Sequence, residues 1–166
     1  IEIGDFESVK AALEAESPRL RRGALWALDG MKNSPLEPDN VLHLLSNAET
    51  SEVAIQVVSR HPEWAPEIAE FGEPIAPNSQ AWYQVVGAIG PSMIADVEFQ
   101  AHLAALMTRD DSAAAGAAFE AIANSPGKVA MNERWSEPIA KSLRSFVGAD
   151  LDRVLRAVAK LETEEF

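Results

Sequence analysis

Ser17-Pro18-Arg19-Leu20-Arg21-Arg22-Gly23-Ala24-Leu25-Trp26-Ala27-Leu28 is the stretch on which the fold turns. Ser17 is a good helix N-cap, and Pro18 suits the first helical position, where a missing N–H costs nothing. Leu20, Ala24, Leu25 and Leu28 then recur at helical spacing, which predicts one apolar face over residues 18–31. Gly30 falls where a left-handed residue commonly ends a helix.

The same spacing returns along the chain. Val53, Val57 and Val58 repeat it after Thr50-Ser51-Glu52, and Ala81, Val85, Val86 and Ile89 repeat it after Asn78-Ser79-Gln80, with Gly90-Pro91 as the expected stop. Ala114, Ala118, Phe119 and Ile122 follow Asp110-Asp111, and Val154, Leu155 and Val158 make a looser fifth copy after Asp150. Leu20, Val53, Ala81 and Ala114 are spaced by 33, 28 and 33 residues, an irregular period of about 30 that signals a solenoid. Partner helices are expected near residues 6–16, 40–46, 64–71, 97–107 and 135–146, with Asp5, Asp39 and Asn132 as caps. Strand signals are weak. Gly72-Glu73-Pro74-Ile75-Ala76-Pro77-Asn78 reads as the main loop and Asn33-Ser34-Pro35-Leu36-Glu37-Pro38 as a second. The chain thus predicts an all-α fold of about five helix pairs, a single domain over residues 1–166. No pair can bury its apolar face alone, so the pairs must stack.

Composition narrows the function classes. The 166 residues are 47% apolar, enough for a core that buries roughly 70% of the unfolded surface. A net charge of −12 argues against nucleic acid and anionic lipid, both of which call for clustered Lys and Arg. It suits a solvated acidic surface. Without Cys, disulfides, thiolate catalysis and Cys-ligated zinc or haem are excluded from this segment. No apolar run approaches the length of a membrane span, and no signal segment is present. The chain starts without Met and ends in an acidic run before Phe166. It therefore reads as a piece of a larger protein, with Phe166 as the first apolar residue of a further helix.

The stretch 17–28, with a cap, a Pro, an apolar residue followed by Arg and then small and apolar residues, resembles the inner-helix signature of HEAT repeats. The run from Val53 lacks the Arg and matches only in part. Gly23-Ala24-Leu25-Trp26-Ala27-Leu28-Asp29-Gly30-Met31 together with Arg60-His61-Pro62-Glu63-Trp64 is similar to the HEAT-like segment of large exported bacterial proteins labelled membrane-bound dehydrogenases. The resemblance implies a right-handed α-α superhelix of HEAT-like (armadillo-type) pairs. It also implies a sorbosone-dehydrogenase-like propeller before the segment, a c-type cytochrome module after it, and a periplasmic or exported location. The propeller and haem residues have no counterpart here, so the segment itself is expected to be a non-catalytic scaffold or protein-interaction module with no cofactor. Its partners would be neighbouring domains or another protein. An enzyme on a HEAT-like scaffold, of chromophore-lyase or DNA-glycosylase type, is the alternative.

No residue is assigned a catalytic, cofactor-binding or metal-binding role. His43, His61 and His102 are dispersed, lack the His-Glu-x-x-His spacing of a zinc site, and are expected at partly exposed helix positions. Asp110-Asp111 reads as a helix cap, since the oxygen-ligand pattern of a calcium loop is absent. Arg19, Arg21 and Arg22 form the basic cluster, expected to pair with acids on neighbouring helices or to bind an anion or partner. Trp26, Trp64, Trp82 and Trp135 are expected mainly in the core. Trp82-Tyr83 is the exception, because adjacent helical residues do not share one stripe. The candidate interaction surface is therefore Arg19, Arg21, Arg22, Trp82 and Tyr83.

Overall fold

The computed structural model of the protein describes residues 4–31, 34, 36–75 and 80–162. Ala76–Asn78 of the expected loop, Asn33, Pro35 and Phe166 lie outside the described residues. The fold is all-α, with ten α-helices among the described residues. The only strands described are two-residue segments, Val129–Ala130 (β1) and Leu161–Glu162 (β2), paired in parallel with Val129 opposite Leu161. Contacts gather into two compact units, residues 1–64 and 65–166.

The first unit holds α1 (Gly4–Ala11), α2 (Pro18–Asp29), α3 (Pro38–Leu45) and α4 (Ser51–Val58). Helix α2 packs on α1 and α4, and α3 packs on α4. Ser17 and Pro18 open α2 as expected. Leu20, however, is 58% exposed. At about 100° per residue, Ala24, Leu25 and Leu28 centre on a direction roughly 90° from Leu20, so the buried stripe misses it. Gly30 ends α2 at φ −79°, a right-handed conformation and not the expected left-handed one. Asp39 is not a cap. Helix α3 starts one residue earlier at Pro38, and Glu37 caps it in a reciprocal capping box with Asn40. Asp5 falls inside the first turn of α1.

The second unit holds α5 (Ala65–Ile75), α6 (Gln80–Met93), α7 (Val97–Thr108), α8 (Ser112–Ala123), α9 (Ser136–Ser145) and α10 (Gly148–Val158). Helix α8 lies between α6 and α10, while α7 packs on α5, α8 and α9. Asp96 caps α7 through the Glu98 and Phe99 amides, and Asp111 caps α8 through the Ala113 amide. Asn132 caps the 3-10 turn Glu133–Trp135 that leads into α9. A matching 3-10 turn, Pro62–Trp64, precedes α5. Each turn ends on a buried Trp, followed four residues later by a buried Ile, Ile68 or Ile139. This doublet was missed in the sequence.

Two expected breaks are helical. Helix α5 continues through Gly72 to Ile75, and α6 runs through Gly90 and Pro91 to Met93. Pro91 forfeits one backbone hydrogen bond near the end of its helix, a small loss at that position. Both glycines serve packing between helices. A Cβ on Gly72 would overlap the Trp82 indole, and one on Gly90 would overlap the Ala121 methyl on α8.

The hydrogen bonds described here between side chains, or between a side chain and the backbone, fall into two classes among the described residues. Their partners are either at most six residues apart, as in Arg21 to the Ala15 carbonyl, or 26 to 35 apart. The second class includes Arg22 to the Glu49 carbonyl, Arg109 to Tyr83, Asn132 to Gln100 and Trp135 to the Gln100 carbonyl. That gap equals the interval between like helices of successive pairs.

Gly90→Ala should be destabilising. Helix propensity alone would favour Ala by about 1 kcal/mol, but overpacking costs about 1–3 kcal/mol. Urea denaturation should show a lower midpoint, and a higher one would mean that α6 and α8 are not in close contact at Gly90.

Candidate functional site

The two stretches that carry the narrower family resemblance meet in space. Asp29 ends α2, and Arg60 and His61 follow α4. The Asp29 side chain is only 4% exposed. Its Oδ2 accepts from Arg60 and its Oδ1 lies 3.0 Å from His61 Nε2. The other ring nitrogen, Nδ1, lies 2.7 Å from Glu63 Oε1. His61 stacks flat on Trp64 with ring centroids 4.1 Å apart, and the Arg60 guanidinium sits 4.7 Å above the Trp26 ring. Burial works to raise the Glu63 carboxyl, but the His61 hydrogen bond and charge outweigh it and hold the group below its usual value of 4.5.

This arrangement orients side chains and neutralises a buried carboxylate. Arg60 and His61 fill the acceptors of Asp29, and the two indole rings hold the guanidinium and the imidazole in place. It is a clamp between the end of one pair's second helix and the end of the next. The sequence held its signal, since Asp29 precedes Arg60 and His61 by 31 and 32 residues, one interval of the repeat.

The surface expected from the sequence is assembled differently. Arg19 is exposed on α2. Arg21 and Arg22 donate to the backbone carbonyls of Ala15 and Glu49, so these two tie helix ends together and do not pair with acids as expected. Trp82 and Tyr83 are both buried, which overturns their reading as an exposed aromatic surface. Helix α6 is covered by α5 as well as α8, so adjacent residues can both be enclosed. Trp82 meets Phe71 and His102 edge-on, and the Tyr83 hydroxyl accepts from Arg109 at 3.4 Å. The Arg cluster belongs to the first unit and the Trp82-Tyr83 pair to the second.

The three histidines differ in their settings. His43 is exposed, His61 forms the clamp, and His102 is buried, against the expectation of partial exposure. Trp64, Trp82 and Trp135 are core residues, whereas Trp26 is 41% exposed beneath Arg60. Asp110 lies 2.9 Å from Lys141, whose hydrogen bond and charge lower its carboxyl below 3.8.

Apart from one on α10 alone, two open hollows that span several helices lie among the described residues of the second unit. One, of about 510 Å³, lies on the α5–α7 side beside Glu67, Glu70, Glu98 and His102. The other, of about 240 Å³, runs over α6, α8 and α10 beside Gln80, Gln84, Gly116, Glu120 and Arg153. No group of three or more metal-ligating side chains occurs among the described residues. No described helix is long and apolar enough to cross a membrane. Comparison of the chain with models of protein families, with curated proteins and with solved structures finds no match.

Asp29→Ala should cost about 1–3 kcal/mol, because it leaves Arg60 and His61 without their shared acceptor. Lys141→Ala should cost under about 1 kcal/mol, because the Lys141–Asp110 pair is exposed. Chemical denaturation of both variants checks the ranking, and equal costs would remove the clamp from the account.

Glu63 sets a pH dependence. Its folded carboxyl is lowered, so its stabilising contribution is present above about pH 4.5 and is lost as pH falls through the folded value. The stability difference between the native chain and Glu63→Gln, measured from pH 6 down to 3, should shrink toward zero. A difference that grows on acidification would reverse the sign.

Proposed function

We propose that this chain is a HEAT-like, right-handed α-α solenoid that acts as a scaffold or protein-interaction module and performs no catalysis itself. It would belong to a larger exported bacterial protein of redox character and need no cofactor in this segment. The observation that carries the reading is the gap of 26–35 residues shared by the longer-range side-chain bonds, such as Asn132 to Gln100 and Lys141 to Asp110. Stacked helix pairs produce that gap, and such stacks serve as binding surfaces. The meeting of 26–29 with 60–64 adds weight, because these are the residues on which the family resemblance rests.

The side proposed to face a partner is the row of second helices α6, α8 and α10, with the hollow beside Gln84 and Glu120 as its polar floor. The partner is a neighbouring domain of the same polypeptide or another protein. Neither nucleic acid nor membrane suits a chain of net charge −12.

A photo-crosslinking residue placed at Gln84 in the full-length protein should form a bond to that domain or partner. The same residue at Ala95, on an exposed turn, should not. Crosslinks from position 95 with none from position 84 would put the working surface elsewhere.

A further inference from the structure

Helix α2 carries, away from its buried stripe, a second apolar face that stays open. Leu20 is 58% exposed and Trp26 is 41% exposed, and Gly23 and Ala27 beside them are exposed too. At about 100° per residue, the four fall within about 120° of the helix circumference. A Cβ on Gly23 would meet nothing within 4 Å, so the face has a notch between its two large side chains. Trp26 is the one exposed Trp, Tyr or Phe among the described residues. The Arg60 guanidinium lies over its ring and holds it in place. An aromatic anchor held in place before contact loses little freedom on binding.

The charge on this face is opposite to that of the chain. Helix α2 holds three arginines and one acid, Asp29, and Asp29 is already taken by Arg60 and His61. Arg19 lies within the apolar arc and is exposed, and Arg22 borders it. Arg21 and Arg22 donate to the carbonyls of Ala15 and Glu49, which leaves their charges without a counter-charge. None of the three arginines forms an ion pair among the described residues, not even with Glu16 just before the helix. Cations beside exposed apolar side chains complement carboxylates beside an apolar side chain. Nucleic acid would answer the arginines but not Leu20 and Ala27, and a net charge of −12 would repel so long a polyanion.

We propose that this face of α2 docks an acidic peptide segment of another domain or protein. Asp or Glu side chains of the segment meet Arg19 and Arg22. A Leu, Phe or Trp of the segment enters the notch at Gly23, between Leu20 and Trp26. Docking there does not depend on the surface on α6, α8 and α10.

Selection from a displayed library of random peptides of about 12 residues, in about 0.15 M salt, tests this. The library is first depleted on a chain carrying both Arg19→Glu and Leu20→Asp, which removes binders of every other surface, and is then selected on the native chain. The recovered sequences should join clustered Asp and Glu to Leu, Phe or Trp. Arg19→Glu and Leu20→Asp should each weaken a recovered peptide at least about 10-fold and leave the helical spectrum unchanged, because both side chains are exposed. Gly23→Gln should weaken it about 5-fold or more while raising the melting temperature, since it fills the notch with a better helix former. Arg144→Glu, the same charge change at an exposed position of α9, should alter nothing. Recovery of basic or uncharged sequences, or of none, would overturn the proposal. So would binding that Gly23→Gln leaves intact or that Arg144→Glu weakens equally. Tighter binding of oligothymidylate or of phosphatidylserine vesicles than of the peptide would overturn it as well.

Discussion

No single helix in this fold covers its own apolar side chains, and the rest of the structure follows from that constraint. Phe119 is the clearest instance. It is wholly buried, yet part of its cover is Phe146, which lies beyond the next helix. Burying an aromatic side chain of this kind is worth about 3–5 kcal/mol relative to Ala, a large share of the stability of an ordinary domain. Burial of Phe119 therefore outweighs any exposed ion pair among the described residues.

Polar interactions follow the same geometry. The Gln100 side chain and backbone receive Asn132 and Trp135, and Lys128 and Lys160 reach the carbonyls of Ala159 and Ser125 around the short β1–β2 pairing. The two lysine bonds satisfy carbonyls left over just past the ends of α10 and α8, where four carbonyls lack helical partners. The Asp29 clamp is the charged version. Removing its carboxylate from water is costly, and Arg60 with His61 compensates.

The helix pairs were legible in the sequence because their apolar spacing was regular. Val57, Val86 and Phe119 were placed in the core on that basis, and they are fully buried. Leu20 and Ala81 were misplaced because a stripe read from its first residue ignores which direction the remaining residues average to. Gly72, Gly90 and Pro91 misled for a different reason. Residues that usually end helices also permit close approach of helices, and only the neighbouring Trp82 and Ala121 reveal which use applies. Trp82 and Tyr83 looked exposed because a helix covered on two sides cannot be told from one covered on one side by period alone. The stretches 23–31 and 60–64 were read together in the sequence, but their contact was not, because apolar spacing says nothing of which polar side chains meet across one repeat interval.

The central claim is that stability is carried by contacts between successive helix pairs. A double-mutant cycle on Phe119 and Phe146, each changed to Leu, measures such a contact directly. The account predicts a coupling of about 0.5–1.5 kcal/mol beyond the sum of the single effects. Additive single effects would mean that the two pairs do not depend on each other, and would contradict it.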